Sequence, residues 1–348
     1  MAQPTAKTVL QQIFGFSQFR EGQEKIINHL LHGDNVLAIM PTGGGKSLCY
    51  QIPAVLSETI TVVISPLVAL MDDQVAALRA IDVNAVCIHS GMTRDDQVEA
   101  WLAVRDGQST IVYMSPERLM AERMLNALSS LSVGMFIVDE AHCISKWGAN
   151  FRPEYEMLSM LKERFPQSTF GAFTATADEA TRSDIAGKLF PDSGEIIVQG
   201  FDRPNLKLAV GNKENWRRQL THFLEDKKGD CGIIYCLSRK YTEEVAGFLK
   251  DEGFNAIAYH AGQDSQVRKH NQDRFMSENA VIMVATIAFG MGIDKPDIRY
   301  VCHLNLPSSV EAYYQEIGRA GRDGAPAETL MLYGLDDIRM RRQFIDQD

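Results

Sequence analysis

The chain alternates short apolar runs with longer amphipathic stretches over its whole length. Segments such as 69–81, 93–106 and 214–227 carry apolar residues at a spacing of three to four, which predicts helices. The alternation of strand and helix predicts an α/β fold, in which mainly parallel sheets are covered by helices on both faces. The apolar runs that predict buried strands are residues 36–40, 61–65, 85–89, 111–114, 135–138, 170–173, 231–236, 256–259, 281–285, 300–305 and 329–333.

A break in this rhythm falls at residues 200–205, where Pro204 interrupts regular structure before a new helical pattern starts near Asn212. At about 150 residues per domain, the 348 residues suffice for two domains. We therefore predict one domain over residues 1–205 and a second over residues 206–348. The formal charge of −10 is divided into −8 and −2 between them. A chain this acidic would bind nucleic acid only through local patches.

No apolar run reaches the roughly 18 residues that a membrane-spanning helix needs, and no basic-then-apolar leader follows Met1. The sequence therefore predicts a cytoplasmic protein without a membrane partner, associated with the nucleoid if bacterial. The six cysteines stand singly, and the closest pair, Cys231 and Cys236, does not form a C-x-x-C motif. Reduced core thiols are predicted, and no zinc is expected in this chain.

A glycine-rich segment, MPTGGGKS at residues 40–47, lies between a predicted strand and a predicted helix. Glycines let backbone N–H groups close around a phosphate, and the helix N-terminus adds partial positive charge. Lys46 would reach the β- and γ-phosphates, and Ser47 would ligate Mg²⁺. The strict motif has glycine where Met40 stands, and a glycine-rich turn with a chance Lys-Ser pair is the alternative. The candidate phosphate-binding residues are Thr42, Gly43, Gly44, Gly45, Lys46 and Ser47.

The sequence DEAH at residues 139–142 ends the predicted strand 135–138. A carboxylate at the carboxyl end of a parallel strand, beside a phosphate loop, is placed to hold Mg²⁺, which is the role predicted for Asp139. Glu140 would orient and deprotonate the attacking water. An acidic helix N-terminus would also favour these residues, and for the DEAH segment taken alone both interpretations stay open.

Two arginines, Arg319 and Arg322, lie three residues apart within QEIGRAGRDG at residues 315–324. Such a pair projects from one side of a helix or turn, and a guanidinium stabilises the charge that develops in phosphoryl transfer. Solvated ion pairs are the alternative. The glycines around the arginines favour the functional interpretation, in which a site forms when the two domains close.

Together these motifs resemble the RecQ family of DNA helicases, within helicase superfamily 2. The FGMGI motif and the tryptophan-containing loop after DEAH distinguish this family from DEAD-box RNA helicases. The matching segments are FGFSQFREGQ (14–23), MPTGGGKSLCYQ (40–51), ISPLVALMDDQV (64–75), YMSPERL (113–119), VDEAHCISKWGANFRPEY (138–155), FTATA (173–177), GIIYCLSR (232–239), YHAG (259–262), VATIAFGMGIDKPDIR (284–299) and YYQEIGRAGRDG (313–324).

The resemblance implies two RecA-like domains with ATP in the cleft between them, and ATP-driven movement 3′ to 5′ along single-stranded DNA. It also implies that Phe16 and Arg20 sandwich adenine and that Gln23 recognises it. An amide offers one donor and one acceptor to adenine, and a guanidinium plane stacks on a purine. Without the resemblance, Gln23 would be interpreted as a surface residue of a helix.

The remaining site residues also come from the resemblance. Arg319 and Arg322 resemble arginines that contact the γ-phosphate, with Arg322 as the finger. For His142 the alternative is a core histidine. For Trp147 and Phe151 it is aromatic packing in the core, and for Thr174 and Thr176 it is an ordinary strand end. Residues 65–67 and 115–117 resemble DNA contacts of the first domain. The residues that resemble coupling or DNA-contacting positions are Gln315, His142, Trp147, Phe151, Arg152, Thr174, Thr176, Ser238, Arg239 and Thr286.

The sequence departs from the family pattern in two respects. The loop that commonly reads WGHDFR reads WGANFR here, so Ala149 and Asn150 replace a titratable side chain and a carboxylate. The chain stops at Asp348, without the zinc module, winged helix and helical domain that follow the core in many members. A trimmed chain and a naturally short member are both compatible with this, and weak unwinding is expected.

The sequence therefore predicts an ATP- and Mg²⁺-dependent 3′–5′ DNA helicase core that acts in DNA repair and recombination. Its expected partners are single-stranded DNA and 3′-tailed duplex DNA, with single-strand-binding or repair proteins as further candidates, and a monomer is expected. The alternatives are an ATP-switched DNA clamp with weak or no unwinding, an RNA helicase, and a structural protein in which the phosphate-site residues are coincidental.

Overall fold

The computed structural model describes residues 4–145, 152–200, 202–287, 289, 293 and 295–345. The chain forms two compact units, Met1–Phe201 and Asp202–Asp348. The division therefore lies inside the break at residues 200–205, four residues before the predicted boundary.

The first unit is an alternating series of strands and helices, with 3₁₀ turns at Ala141–Ile144 and Met157–Met160. Its strands are β1 (Val36–Ile39), β2 (Ile60–Ile64), β3 (Ala85–Ile88), β4 (Ile111–Met114), β5 (Val133–Val138), β6 (Thr169–Thr174) and β7 (Glu195–Val198). Its helices are α1 (Ala6–Gln12), α2 (Gln23–His32), α3 (Lys46–Leu56), α4 (Val68–Ala80), α5 (Arg94–Arg105), α6 (Pro116–Leu119), α7 (Glu122–Ser129), α8 (Pro153–Glu156), α9 (Leu161–Arg164) and α10 (Glu179–Leu189).

The seven strands form one sheet in the order β3-β4-β2-β5-β6-β1-β7, and every described pair is parallel. Strand β1 is completely buried, with Leu37 and Ile39 facing one core and Val36 and Ala38 facing the other. Helices therefore cover both faces, as predicted for a parallel sheet. The carboxyl ends of β5, β6 and β1 lie side by side, which places the residues that follow these strands at one edge.

The second unit repeats this architecture with six strands and five helices among the residues that the structure describes. Its strands are β8 (Leu206–Asn212), β9 (Cys231–Tyr235), β10 (Asn255–Tyr259), β11 (Val281–Ala285), β12 (Ile298–His303) and β13 (Ala327–Tyr333). Its helices are α11 (Trp216–Leu224), α12 (Arg239–Asp251), α13 (Ser265–Ser277), α14 (Val310–Ile317) and α15 (Leu335–Ile345). The sheet order is β10-β11-β9-β12-β13-β8, again with parallel pairs.

The predicted α/β class is confirmed, and each of the eleven predicted strands is present with ends shifted by at most two residues. Two strands were missed, β7 and β8, and both lie at the edge of a sheet. Most of their positions are exposed or only partly buried, and Leu208 and Val210 of β8 are each 58% exposed. The prediction used continuous apolar runs, which are typical of strands buried on both faces.

Each of the six cysteines lies within the described residues, and none is in a disulfide. Five are buried, and Cys87 is partly exposed, so reduced thiols packed in or beside the core are confirmed. Among the described helices, none is long and apolar enough to cross a membrane.

Candidate nucleotide site and its coupling residues

The loop between β1 and α3 has the backbone geometry of a phosphate cradle. Gly43 and Gly45 have φ values of +78° and +77°, which side chains other than glycine rarely adopt. The Gly44 N–H donates to the Pro41 carbonyl at 2.9 Å, and the Lys46 ammonium donates to the Met40 carbonyl at 3.4 Å. The loop turns directly into the N-terminus of an eleven-residue helix, so backbone N–H groups and a positive helix end face the same place.

Met40, which replaces the glycine of the strict motif, belongs to the sheet. Its side chain is fully buried, and its N–H donates to the carbonyl of Thr174 at 3.0 Å, one residue beyond the last pair of β1 and β6. Methionine stands here in place of the motif's glycine because position 40 still belongs to the sheet, where its side chain fills the core. The turn that needs glycine begins only after Pro41.

Gln23 and Arg20 attach the start of α2 to this loop. The buried Gln23 amide accepts from the Arg20 N–H at 2.8 Å and donates to the carbonyls of Gly44 and Gly45 at 3.3 and 3.1 Å. The Arg20 guanidinium donates to the Gly43 carbonyl. The interpretation of Gln23 as a surface residue is therefore wrong. Its donors and its acceptor are engaged by the protein, so an adenine must exchange with some of these bonds. Phe16 is half exposed.

Asp139 and Glu140 follow β5 directly. The Asp139 carboxylate is buried and accepts from the Glu140 N–H at 3.0 Å, while the Tyr155 hydroxyl donates to the Asp139 carbonyl at 3.2 Å. Burial, and then the charge of Glu140, raise the pKa of Asp139 to about 7, and Lys46 opposes this rise. Lys46 of the phosphate loop and the aspartate thus act on each other electrostatically. Glu140 has φ +50° and ψ +45°, a left-handed conformation that is uncommon outside glycine.

The donor set here suits a hard divalent cation. Asp139 offers a carboxylate and Ser47 offers a hydroxyl, and Mg²⁺ prefers oxygen ligands of this kind. The raised pKa of Asp139 reflects a buried charge, which a cation would compensate. Burial raises the pKa of Tyr50, which lies three residues after Ser47 on α3, and the nearby Ser47 hydroxyl opposes this rise. Sequence reasoning missed Tyr50 and Tyr155, because a tyrosine within an apolar helical pattern is indistinguishable from core.

His142 joins the DEAH segment to the end of β6. Its Nδ1 lies 2.9 Å from the Thr174 hydroxyl and 3.3 Å from a Glu140 carboxylate oxygen. The Thr174 hydroxyl donates to the Thr176 carbonyl at 3.0 Å. Burial lowers the pKa of His142. His142, Thr174 and Thr176 therefore form one hydrogen-bonded chain, and the Glu140 carboxylate lies beside the imidazole at ion-pair distance.

Arg152 bridges two segments that were predicted to contact DNA. Its guanidinium donates to the Pro66 carbonyl at 3.1 Å, and its N–H donates to the Cys143 carbonyl at 2.9 Å. The segment after DEAH is thereby fixed to the loop before α4. Trp147 and Phe151, together with the substituted positions Ala149 and Asn150, lie outside the described residues.

The arginine segment of the second unit follows α14. Arg319 is buried and Arg322 and Gln315 are partly buried. Arg319 hydrogen-bonds the hydroxyl of the buried Tyr235, and that hydroxyl donates to the Phe289 carbonyl at 3.0 Å. A core tyrosine, which sequence reasoning missed, therefore holds the first of the two arginines.

The same segment is held from the other side by residues near the start of the second unit. Arg203 donates to the carbonyls of Ala320 and Gly321 at 2.9 Å each. Asn205 donates to the carbonyls of Gly321 and Ala325 at 2.9 Å each. The sequence predicts only a break in regular structure at residues 200–205. Arg203 and Asn205 hydrogen-bond the backbone of the arginine segment and hold it in place.

The other predicted DNA contacts of the second unit lie on separate elements. Ser238 is exposed and caps α12, accepting from the Tyr241 N–H at 3.2 Å. Arg239 is the exposed first residue of that helix. Thr286 follows β11, and its N–H donates to the Tyr259 carbonyl at 3.2 Å. No described contact ties Thr286 to Ser238 or Arg239.

Comparison with known proteins identifies the family. The DEAD/DEAH box helicase model matches residues 20–185, and the helicase conserved C-terminal domain model matches residues 215–324. The ATP-dependent DNA helicase RecQ of Haemophilus influenzae is 46% identical over 95% of this chain and 53% of its own length. A probable ATP-dependent DNA helicase, RecS of Bacillus subtilis, is 38% identical over 97% of this chain and 69% of its own length. The chain belongs to the RecQ family of DNA helicases.

This RecQ-family chain spans about half the length of the RecQ relatives that it matches. Among solved structures, the DEAD-box helicase Mss116 bound to ssRNA has a TM-score of 0.77 at 20% identity, covering 98% of this chain and 78% of that one. The Mycobacterium smegmatis helicase Lhr bound to ssDNA and AMP-PNP has a TM-score of 0.73 at 20% identity, covering 96% and 49%. These likenesses confirm a pair of RecA-like domains.

Proposed function

We propose that the chain is the motor core of an ATP-dependent DNA helicase, which moves 3′ to 5′ on single-stranded DNA and thereby unwinds 3′-tailed duplexes. The observation that carries this proposal is the arrangement at one sheet edge. There the phosphate loop lies beside the buried Asp139, and His142 contacts both Glu140 and the hydrogen-bonded pair Thr174 and Thr176. The RecQ relatives are named as ATP-dependent DNA helicases, which supports the same activity.

The chemistry assigned to the nucleotide site is hydrolysis of the γ-phosphate. Backbone N–H groups of the loop and Lys46 hold the phosphates, and Asp139 and Ser47 hold Mg²⁺, which supplies charge neutralisation when bound. Glu140 removes the proton of the attacking water. Arg322, assisted by Arg319, stabilises the negative charge that develops on the transferred group.

The coupling of hydrolysis to DNA is assigned to the residues around His142. The imidazole contacts both Glu140 and Thr174, so a shift of the segment after β6 would move the carboxylate that activates water. On the DNA side, the family resemblance assigns base stacking to Trp147 and Phe151, and phosphate contacts to Ser238, Arg239 and Thr286. Stacking of bases on aromatic rings is sequence-tolerant, which suits a translocase.

The first experiment measures ATPase activity of the purified chain with and without single-stranded DNA and Mg²⁺. We expect stimulation by DNA that disappears in Lys46→Ala, and loss of turnover with retained ATP binding in Arg322→Ala. Absence of DNA-stimulated activity in the unmodified chain would overturn the proposal. Equal stimulation by RNA would replace the DNA helicase assignment with an RNA helicase.

The second candidate function is an ATP-switched DNA clamp without strand separation. Ala149 and Asn150 favour it, because they remove an ionisable side chain and a carboxylate from the loop that follows DEAH. A strand-displacement assay on a 3′-tailed duplex distinguishes the two functions. A helicase releases the displaced strand, whereas a clamp hydrolyses ATP without releasing it.

A further inference from the structure

A four-residue pattern occurs once in each unit with the same spacing. In both units it consists of the first residue of a helix, a carboxylate at the fifth residue of that helix, a histidine 17 residues later, and a glycine two residues after the histidine. The histidine follows the next strand of the sheet, β3 or β10. The two sets are Val68, Asp72, His89 and Gly91, and Arg239, Glu243, His260 and Gly262.

The histidine makes the same two hydrogen bonds in both units. His89 Nδ1 accepts from the Gly91 N–H at 3.1 Å, and its Nε2 lies 3.1 Å from an Asp72 carboxylate oxygen. His260 Nδ1 accepts from its glycine N–H at 3.2 Å, and its Nε2 lies 2.9 Å from a Glu243 carboxylate oxygen. Both histidines are buried. We call this arrangement the histidine clasp, since it ties the turn after the strand to the preceding helix.

The clasp excludes a metal interpretation of the first set. Asp72, Cys87 and His89 lie close enough together to hold an ion. A backbone N–H can only donate, so His89 Nδ1 is the acceptor and Nε2 carries the proton that faces Asp72. A protonated nitrogen does not coordinate a metal. The second clasp has alanine at the position of the cysteine and keeps the same geometry, so the pair of side chains needs no ion.

The two clasps support different side chains. A Cβ placed on Gly91 would lie 3.7 Å from Val68, an ordinary contact. A Cβ placed on Gly262 would lie 3.1 Å from Arg239 Cδ and 3.2 Å from its Nη1. The guanidinium of Arg239 therefore lies across the glycine that the second clasp fixes. The first clasp carries an uncharged valine in the same place.

We propose that His260 is a positioning residue for a phosphate contact of Arg239 with single-stranded DNA, and that the equivalent clasp of the first unit supports a surface without that charge. This rests on the proposed function, since Arg239 is a DNA contact only if the chain binds DNA. The buried clasp fixes Gly262, and Gly262 leaves room for the exposed guanidinium to lie in one orientation. At the first residue of the clasp helix, only Arg239 of the second unit then contributes a salt-dependent contact with DNA, because the first unit has Val68 there.

The test is equilibrium binding of a fluorescent oligo-dT strand over a series of NaCl concentrations. Removing one cationic side chain from a phosphate of a single strand lowers the slope of log K against log salt by about 0.7. We expect this reduction in Arg239→Ala and in His260→Ala, with no further reduction in the double variant. His89→Ala, the matched control in the first unit, should leave the slope unchanged. Thermal melting shows that each variant folds.

Gly262→Ala provides a second variant that keeps the histidine. The added methyl group occupies the place over which Arg239 lies, so the same reduction of slope is expected. Additive reductions in the Arg239→Ala/His260→Ala variant, or an unchanged slope in both His260→Ala and Gly262→Ala, would overturn the proposal. A chain that binds no single-stranded DNA contradicts the proposed function itself. Binding that weakens in Arg239→Ala but not in the clasp variants contradicts only the positioning role.

Discussion

Replacement of Asp139 by asparagine should stabilise the ligand-free protein at pH 8. Burial and the neighbouring Glu140 raise the pKa of this carboxyl from 3.8 to about 7 in the folded state. The folded chain therefore holds the proton more tightly than the unfolded chain does. The free energy of unfolding therefore falls as the pH rises from the pKa of Asp139 in the unfolded chain to its pKa in the folded chain. Above both pKa values the carboxylate is ionised in both states, and the loss of stability is complete.

The size of the effect follows from the shift. Three pKa units at about 1.4 kcal/mol each give a cost on the order of 4 kcal/mol when the carboxylate is fully ionised. Asparagine keeps the shape and the acceptor for the Glu140 N–H without the charge. Asp139→Asn should therefore raise the free energy of unfolding by roughly 2 to 4 kcal/mol at pH 8, and by close to nothing at pH 4.

Urea unfolding of both proteins at pH 4, 6 and 8, in the presence of a chelator, measures this difference. The exposed Asp192→Asn serves as a control and should show no such trend. A stability difference that does not change with pH, or a variant that is less stable at pH 8, would refute the reasoning. Mg²⁺ with ATP should reverse the order, because only the carboxylate gains from the cation.

Three further predictions concern the second unit, and all are measured by urea unfolding of the whole chain. Asp337 is buried and binds the Lys213 ammonium at 2.9 Å and the Gly334 N–H at 2.8 Å. Asp337→Ala should lower the free energy of unfolding by about 3–5 kcal/mol. The control Asp336→Ala, at an exposed neighbouring residue, should change it by less than about 0.5 kcal/mol. Equal effects of the two substitutions would contradict this prediction. Gly232→Ala should cost about 1–3 kcal/mol, since its methyl group would overlap a buried tyrosine ring. Gly247→Ala should stabilise the chain by about 0.5–1 kcal/mol, because Gly247 lies in α12 with open space around it. A stabilising Gly232→Ala or a destabilising Gly247→Ala would contradict the packing described.

The central elements of both sheets could be predicted because parallel strands that are buried on both faces consist of continuous apolar residues. Strand β1 is an example, with four buried positions in succession. The edge strands β7 and β8 could not be predicted in this way, since one face of each is exposed. Their pairing depends on neighbours far away in the sequence, such as β13 for β8.

The candidate site shows the same division. The phosphate loop and the DEAH segment are local motifs, so residue type and order predict their chemistry. The burial of Gln23 against Gly44 and Gly45 depends on how α2 packs on α3. The sequence around Gln23 does not predict this packing. The same holds for Tyr235 beneath Arg319, because the two residues come from distant parts of the chain.

The contacts of Arg203 and Asn205 change what the connecting peptide can tolerate. A spacer between domains usually accepts insertions, deletions and exchange of its side chains. Here the residues that follow the division at 201/202 supply four hydrogen bonds to carbonyls of residues 320–325. Lengthening the chain ahead of Arg203 alters only the tether, whereas a change at Arg203 or Asn205 alters the arginine segment as well. A substitution in this peptide would therefore also disturb the segment that carries Arg319 and Arg322, and engineered domain fusions should be joined upstream of it.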